Sequence, residues 1–431
     1  MKNRIAILLA ALALLSAPAR PGAPAGSFSV NGLKVIFVPA GASDIVSANM
    51  YFRGGSSVID LNQAGIENLA LQVATLATKS YPREKLNEEL ESMDSQISSA
   101  AGRDYASISL QCVKQNFARS WKIFADAILN PSFDSTDVEL QRASILSSIR
   151  QSEDDPDQYL GRLAMEAFYV DHPYAVDPSG TEKTVRSFTG ADLRSFMHAR
   201  VTSSGMLLVV VGNTTREELE AMVKESFGAI PQGDFRASLP PPPVFQTPSL
   251  KVVRRDLPTK YITGYYPFPQ FGSEESYAMM LAQSILYSRL FEEVRTKRGL
   301  SYAPGAGSGQ VFTNYGLVYV TAVQPETTMT VILDEVKKMQ NEPVSDKVLN
   351  DQRNVYLVRN YLNIETNASQ ATLLARYELS GAGYAGAEKY LEYIRKVTPA
   401  DIQAACRKYM HNFQFVLLGS PGELKLAPFT Y

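Results

Sequence analysis

RLFEEVRTKRGLSY, Arg289 to Tyr302, is the segment from which the rest of the chain is most easily understood. Leu290, Phe291 and Val294 recur at helical spacing and can face a core. Glu292, Glu293, Arg295, Lys297 and Arg298 supply the polar side of the same helix. Gly299 is a helix-stop signal, and the residues after it turn apolar and β-like. The pattern therefore predicts a helix over 274–298 that ends at this glycine. Arg298 and Tyr302 flank that end and are close enough in sequence to address one small volume. A guanidinium fork and a phenol hydroxyl together hold a substrate carbonyl or carboxylate, or stabilise an oxyanion. The same spacing also suits a surface Arg and a half-buried Tyr with no chemical role.

Immediately downstream, Pro304 to Gly309 (PGAGSG) lacks both the Gly-Lys-Ser/Thr ending of a phosphate loop and the GxGxxG spacing. It reads as a flexible loop or irregular strand beside Tyr302. Upstream, Gly233 to Pro248 contains four consecutive prolines, which favour a stiff, extended connector and mark a domain boundary. The stretches on its two sides repeat one another. Thr189 to Asn213 and Thr398 to Ser420 each read as an N-capped helix, a short loop, a buried strand and a polar stop. The strands predicted over 249–253 and 261–266 echo those over 28–39 and 45–52, where Asn31-Gly32 marks a hairpin turn. The expected fold class is α+β, with two homologous duplicated domains joined by a Pro-rich linker. The expected boundaries are a signal peptide and leader over 1–26, an N-terminal domain over 27–232, the linker over 233–248 and a C-terminal domain over 249–431.

The run SRLFEEVRTKRGLSY resembles the Arg/Tyr motif in the C-terminal half of the pitrilysin/insulinase zinc metallopeptidases. The mitochondrial processing peptidase and its bacterial two-chain relatives are the group it is most similar to. The resemblance covers the mature chain in order and implies a mostly antiparallel sheet packed with helices in each domain. The family carries zinc on a G-x-x-H-x-x-E-H helix, with a Glu on a later helix as third ligand. The matching stretch here, Gly65 to Gln72, has Asn68 and Gln72 at the His positions and Leu71 at the base position. Ser148, in the segment Gln141 to Arg150, matches the third ligand. The resemblance therefore implies no metal on this chain and zinc on a partner. It also implies that Arg298 and Tyr302 act in trans as substrate- and oxyanion-binding residues of a heterodimeric peptidase. Its expected partners are an H-x-x-E-H-bearing subunit and a peptide substrate. The alternative is a catalytically inactive peptide-binding or scaffold protein of the cell envelope.

Composition sets the outer bounds. With 431 residues, 45% hydrophobic and 20% charged, the chain has an ordinary globular composition and room for more than one core. A formal net charge of -2 argues against nucleic acid as the main partner. Lys2 and Arg4 precede the apolar run Ile5 to Leu15, which is too short to span a bilayer. Ala17-Pro18-Ala19 and Ala23-Pro24-Ala25 are candidate cleavage sites, so a signal peptide and a periplasmic mature chain without a membrane span are expected. Cys112 and Cys406 both fall on predicted buried faces. His172, His198 and His411 lie far apart without metal-ligand spacing. The acidic run Glu153 to Asp157 reads as a turn that caps the next helix rather than a calcium loop.

Overall fold

The computed structural model describes residues 24–41, 43–236, 238–420 and 429–431. Residues 1–23 of the expected leader lie outside the described residues, and Gly26 at its end begins β1. In the first half the order is β1 (Gly26–Val30), β2 (Leu33–Pro39), β3 (Ile45–Arg53), α1 (Ile66–Ala74), α2 (Arg83–Ser92), β4 (Gln96–Ala101), β5 (Tyr105–Val113), α3 (Phe117–Leu129), α4 (Ser135–Asp154), α5 (Pro156–Phe168), α6 (Glu182–Ser187), α7 (Gly190–Arg200), β6 (Met206–Gly212) and α8 (Arg216–Phe227). The second half follows with β7 (Ser249–Val253), β8 (Lys260–Pro267), α9 (Glu274–Leu290), β9 (Gly305–Ser308), β10 (Tyr315–Ala322), α10 (Pro325–Asn341), α11 (Asp346–Asn363), α12 (Asn367–Leu379), α13 (Gly386–Lys396), α14 (Pro399–Tyr409) and β11 (Gln414–Leu418).

The duplication is visible in the strand order. The first sheet runs β1-β2-β6-β3-β5-β4 and the second β7-β11-β8-β10-β9. In each, one parallel pair, β2 with β6 or β7 with β11, is followed by three strands paired antiparallel. The first sheet adds the β1–β2 hairpin, whose turn residues Asn31 and Gly32 take φ of 46° and 85°. Both turn positions need left-handed backbone, which Asn and Gly adopt at least cost. The matching helices before the last strands, α7 and α14, start with the same capping box. Thr189 pairs with Asp192 in one and Thr398 with Asp401 in the other.

Each sheet is covered on one face by its own helices and on the other by a helix from the opposite half. Ala371, Leu374, Ala375 and Leu379 of α12 pack on Ile36, Val38, Tyr51, Leu207, Val209 and Val211 of the first sheet. Reciprocally, Leu160, Leu163, Ala164 and Phe168 of α5 pack with Tyr265, Val416 and Leu418 of the second. This explains why β6 is apolar at every position instead of alternating. Neither of its faces meets water, and all seven residues are buried. Cys112 and Cys406 are buried free thiols, and burial pushes both above the ordinary thiol range. Asp155 caps α5 by accepting from the Gln158 N–H at 2.9 Å, as the acidic run suggested. No helix among the described residues is long and apolar enough to cross a membrane.

Two elements differ from the pattern in the sequence. The helix predicted over 274–298 is α-helical only to Leu290, and Phe291–Thr296 continue as a π-helix. Strand β4 is serine-rich and lacks an apolar alternation strong enough to announce it. It forms the edge of the first sheet, with exposed and half-buried residues alternating.

Candidate functional site

The π-helical turn sets the geometry at the end of α9. A π-helix brings residues five apart into line, where an α-helix aligns those three and four apart. Accordingly the Lys297 N–H donates to the Glu292 carbonyl at 2.9 Å. Beyond it, Leu300 N–H reaches back to the Val294 carbonyl at 2.9 Å while Gly299 sits at φ 58°. The glycine closes the turn without the Cβ penalty of left-handed backbone. Val294 stays buried in the second core and anchors the turn.

This change of period decides which side chains meet. Arg298 falls five residues after Glu293, and its Nη1 donates to both the Glu293 carbonyl (2.9 Å) and the Glu293 carboxylate. Lys297 binds the same carboxylate at 2.7 Å. Lys297 first, and then Arg298, hold the Glu293 carboxyl down at about 2. Arg298 is therefore engaged within its own turn and is not the arginine stacked on Tyr302. That arginine is Arg295, whose guanidinium carbon lies 4.0 Å from the Tyr302 ring centre and 4.7 Å from that of Phe291. Tyr287 extends the row, 6.4 Å from Phe291 between ring centres. Tyr302 is 79% exposed, so its hydroxyl faces solvent while its ring rests on a cation. Among the described residues, no carboxylate lies within ion-pair distance of Arg295. In this structure Tyr302 stacks on Arg295, while Arg298, the arginine expected beside it, is bound to Glu293. Arg295 belonged to the polar face in the sequence. Only the π-helical phase, which the sequence does not announce, singles it out.

The face of α1 that matches the family's metal helix is occupied by its own side chains. Asn68 and Gln72, one turn apart, bond to each other, with Gln72 Nε2 donating to Asn68 Oδ1 at 2.9 Å. Leu71 is buried in the first core. Ser148 is exposed on α4 and donates to the Ser144 carbonyl of its own helix at 3.1 Å. The one acid on this helix, Glu67, is buried against Arg200 at 2.9 Å, and Arg200 also donates to the Arg53 carbonyl at 2.7 Å. Burial raises the Glu67 pKa against the pull of Arg200. Two mutually bonded amides, an alkyl group and a hydroxyl do not make a zinc donor set. Among the described residues, no group of three or more His, Cys, Asp or Glu is placed to hold a metal ion. The three histidines stay apart. His172 bonds the Pro241 carbonyl and His411 the Lys408 carbonyl, each at 2.8 Å.

Residues 34–181 match the family model described as Insulinase (Peptidase family M16), and residues 187–356 match the one described as Peptidase M16 inactive domain. An uncharacterized zinc protease of Mycobacterium tuberculosis is 24% identical over 427 residues, covering 95% of this chain and 96% of that protein. The beta subunit of the mitochondrial-processing peptidase of Blastocladiella emersonii is 21% identical over 258 residues, 60% of this chain and 55% of that one. A solved peptidase M16 inactive domain from Pseudomonas fluorescens superposes with a TM-score of 0.83 at 20% identity, covering 92% of this chain and 98% of the other.

Proposed function

Because the chain belongs to peptidase family M16, the insulinase family, we propose that it is the substrate-gripping, non-zinc-binding subunit of an exported two-chain peptidase. The observation that carries this reading is a contrast between the two halves. The face of α1 where the family holds its metal is filled by the Asn68–Gln72 amide pair. The corresponding end of α9 presents a solvent-facing phenol on a stacked guanidinium. A scaffold has no use for such a pair, whereas a subunit that holds a peptide does.

In this reading the partner chain carries the H-x-x-E-H helix, and the metal and base chemistry stays with it. This chain binds and orients the peptide. Tyr302 donates its hydroxyl hydrogen to a backbone carbonyl of the substrate. Arg295, in contact with the rings of Phe291 and Tyr302, supplies the fixed positive charge that favours negative charge building on that oxygen. Its planar fork is already ordered by the two rings, so little freedom is lost when it binds. Arg298 is the second cation of the site, held in reserve by Glu293. The test is a native pull-down of the chain from its own cell envelope, with co-purifying proteins identified by mass spectrometry. A stoichiometric partner of similar size bearing H-x-x-E-H is expected. Self-association alone, or a non-peptidase partner, turns the assignment to a peptide-binding or scaffold protein.

A further inference from the structure

The second half contains a cavity of about 320 Å³ between α9, α11, α12 and α13 and the residues after β9. Its walls are aromatic, with Tyr277, Tyr356, Tyr377 and Tyr390 among them, and its charged lining residues are Arg359 and Arg376 alone. No Asp or Glu lines it. Neither guanidinium has an ion-pair partner among the described residues. Arg376 donates to the Gln310 side chain at 3.1 Å and lies 4.8 Å from the Phe271 ring centre, and Arg359 lies 5.9 Å from that of Tyr356. The acid whose charge Arg376 feels, Asp104, is already bonded to the Tyr174 hydroxyl and the Phe312 N–H. The tyrosine hydroxyls are largely spent on the protein itself. Tyr277 and Tyr377 bond to each other at 3.1 Å, and Tyr356 donates to the Met280 carbonyl at 2.9 Å. Gln283, 4% exposed, is fixed by Tyr266 and the Gly307 carbonyl. What the cavity lacks is an anion.

We infer that this cavity is a binding site for the carboxylate end of a peptide whose last residue is aromatic or large and apolar. Two uncompensated guanidinium groups select a carboxylate, and Arg does so with a planar fork that matches its two oxygens. The aromatic walls take the terminal side chain. Position supports a peptide end over a free small acid. The cavity takes Gln283 from α9 and Ser308 and Gly309 from the end of β9, while Arg295 and Tyr302 lie beyond the end of α9 and just before β9. Counting along the helix or along the strand gives about 20 Å between the two sites. An extended peptide of about six residues spans that distance. Gln283 and Arg359 also lie at one common sequence offset from Gln72 and Ser148. In the duplicated fold, the cavity is the second half's counterpart of the face that Asn68 and Gln72 fill in the first.

This inference rests on the reading that the chain holds a peptide, and its test separates the two. A labelled octapeptide ending in Phe is titrated against the mature chain by fluorescence anisotropy, once as the free acid and once as the C-terminal amide. The acid is expected to bind about tenfold tighter or more. Arg359→Gln, at an exposed position that should not disturb folding, is expected to bring the two peptides within about threefold of each other, and Arg376→Gln to do the same. N-acetylphenylalanine is expected to compete only weakly. Acid and amide binding alike, no binding of either, an unchanged ratio in Arg359→Gln, or competition by N-acetylphenylalanine as strong as that of the peptide each overturn the inference. If the ratio is absent while Tyr302→Phe still slows the two-chain peptidase, the cavity assignment falls and the grip reading stands.

Discussion

Tyr302 is exposed while its ring stacks on Arg295, and the ranking of variants follows from that stack. Arg295→Ala removes both the fixed charge and the support of Tyr302. It is expected to lower turnover of the assembled peptidase by about a hundredfold, the scale of losing one preorganised donor. Arg295→Lys retains charge but not the flat fork, so it is expected to recover only part of the loss. Arg298→Ala leaves Tyr302 and Arg295 in place and is expected to cost less than tenfold. Steady-state kinetics on the three variants checks the order, and a larger loss for Arg298→Ala than for Arg295→Ala would refute it. The Glu293 carboxyl, held down at about 2, stays ionised through the neutral and mildly acidic range. Its hold on Lys297 and Arg298 is present above the ordinary Glu pKa and fades only as pH falls toward 2. At this scale the sequence was half legible. The sequence singles out Tyr302, Asn68, Gln72, Leu71 and Ser148 from their neighbours, but not which arginine stacks on Tyr302. Both arginines sit on the polar side of the run, and only the turn's period separates them.

The π-helical turn between α9 and Gly299 is the element on which that choice depends. Helical periodicity is legible as apolar positions, and Leu290 and Val294 satisfy an α- or a π-helical reading equally. Gly299 did announce the stop, and its φ of 58° shows why a residue without Cβ stands there. A Cβ at Gly299 meets nothing within 4 Å, so Gly299→Ala tests backbone strain without a clash. It is expected to cost about 1 kcal/mol of stability and to loosen the Arg295–Tyr302 stack. Thermal denaturation reads the first effect and turnover the second. No change in either would mean that the turn does not position the pair. Strand β4 went unread for a different reason. An edge strand with one exposed row needs few apolar residues, and QISSAA supplies only Ile97 beside two serines and two alanines to mark it.

At the scale of the whole molecule, the two halves are joined by exchange, each lending a helix to the other's sheet. The duplication was legible because both halves end in the same helix–loop–strand signature. The exchange was not, because α5 and α12 carry apolar stripes that fit either half. Between the halves lies a polar clasp. Asp104 accepts from the Tyr174 hydroxyl and the Phe312 N–H at 2.9 Å, and Tyr169 donates to the Thr313 carbonyl at 2.5 Å. Burial raises the Asp104 carboxyl to about 6. A carboxyl whose pKa is higher folded than unfolded favours the folded state at low pH and loses that contribution as pH rises through its folded value. Relative to Asp104→Asn, the wild type is therefore expected to lose stability between about pH 4 and 6.5, by roughly 3 kcal/mol at most. Melting temperatures of both proteins across that range check it. Parallel curves would remove Asp104 from the clasp's pH dependence.

The most direct measurement is turnover of the proposed two-chain peptidase, reconstituted with Tyr302→Phe in this chain, alongside the mass of the complex. If this chain grips the scissile peptide, assembly is unchanged and kcat falls by about two orders of magnitude. Full turnover by a complex carrying Tyr302→Phe would contradict the assignment, and leave the chain a partner that assembles without touching the reaction.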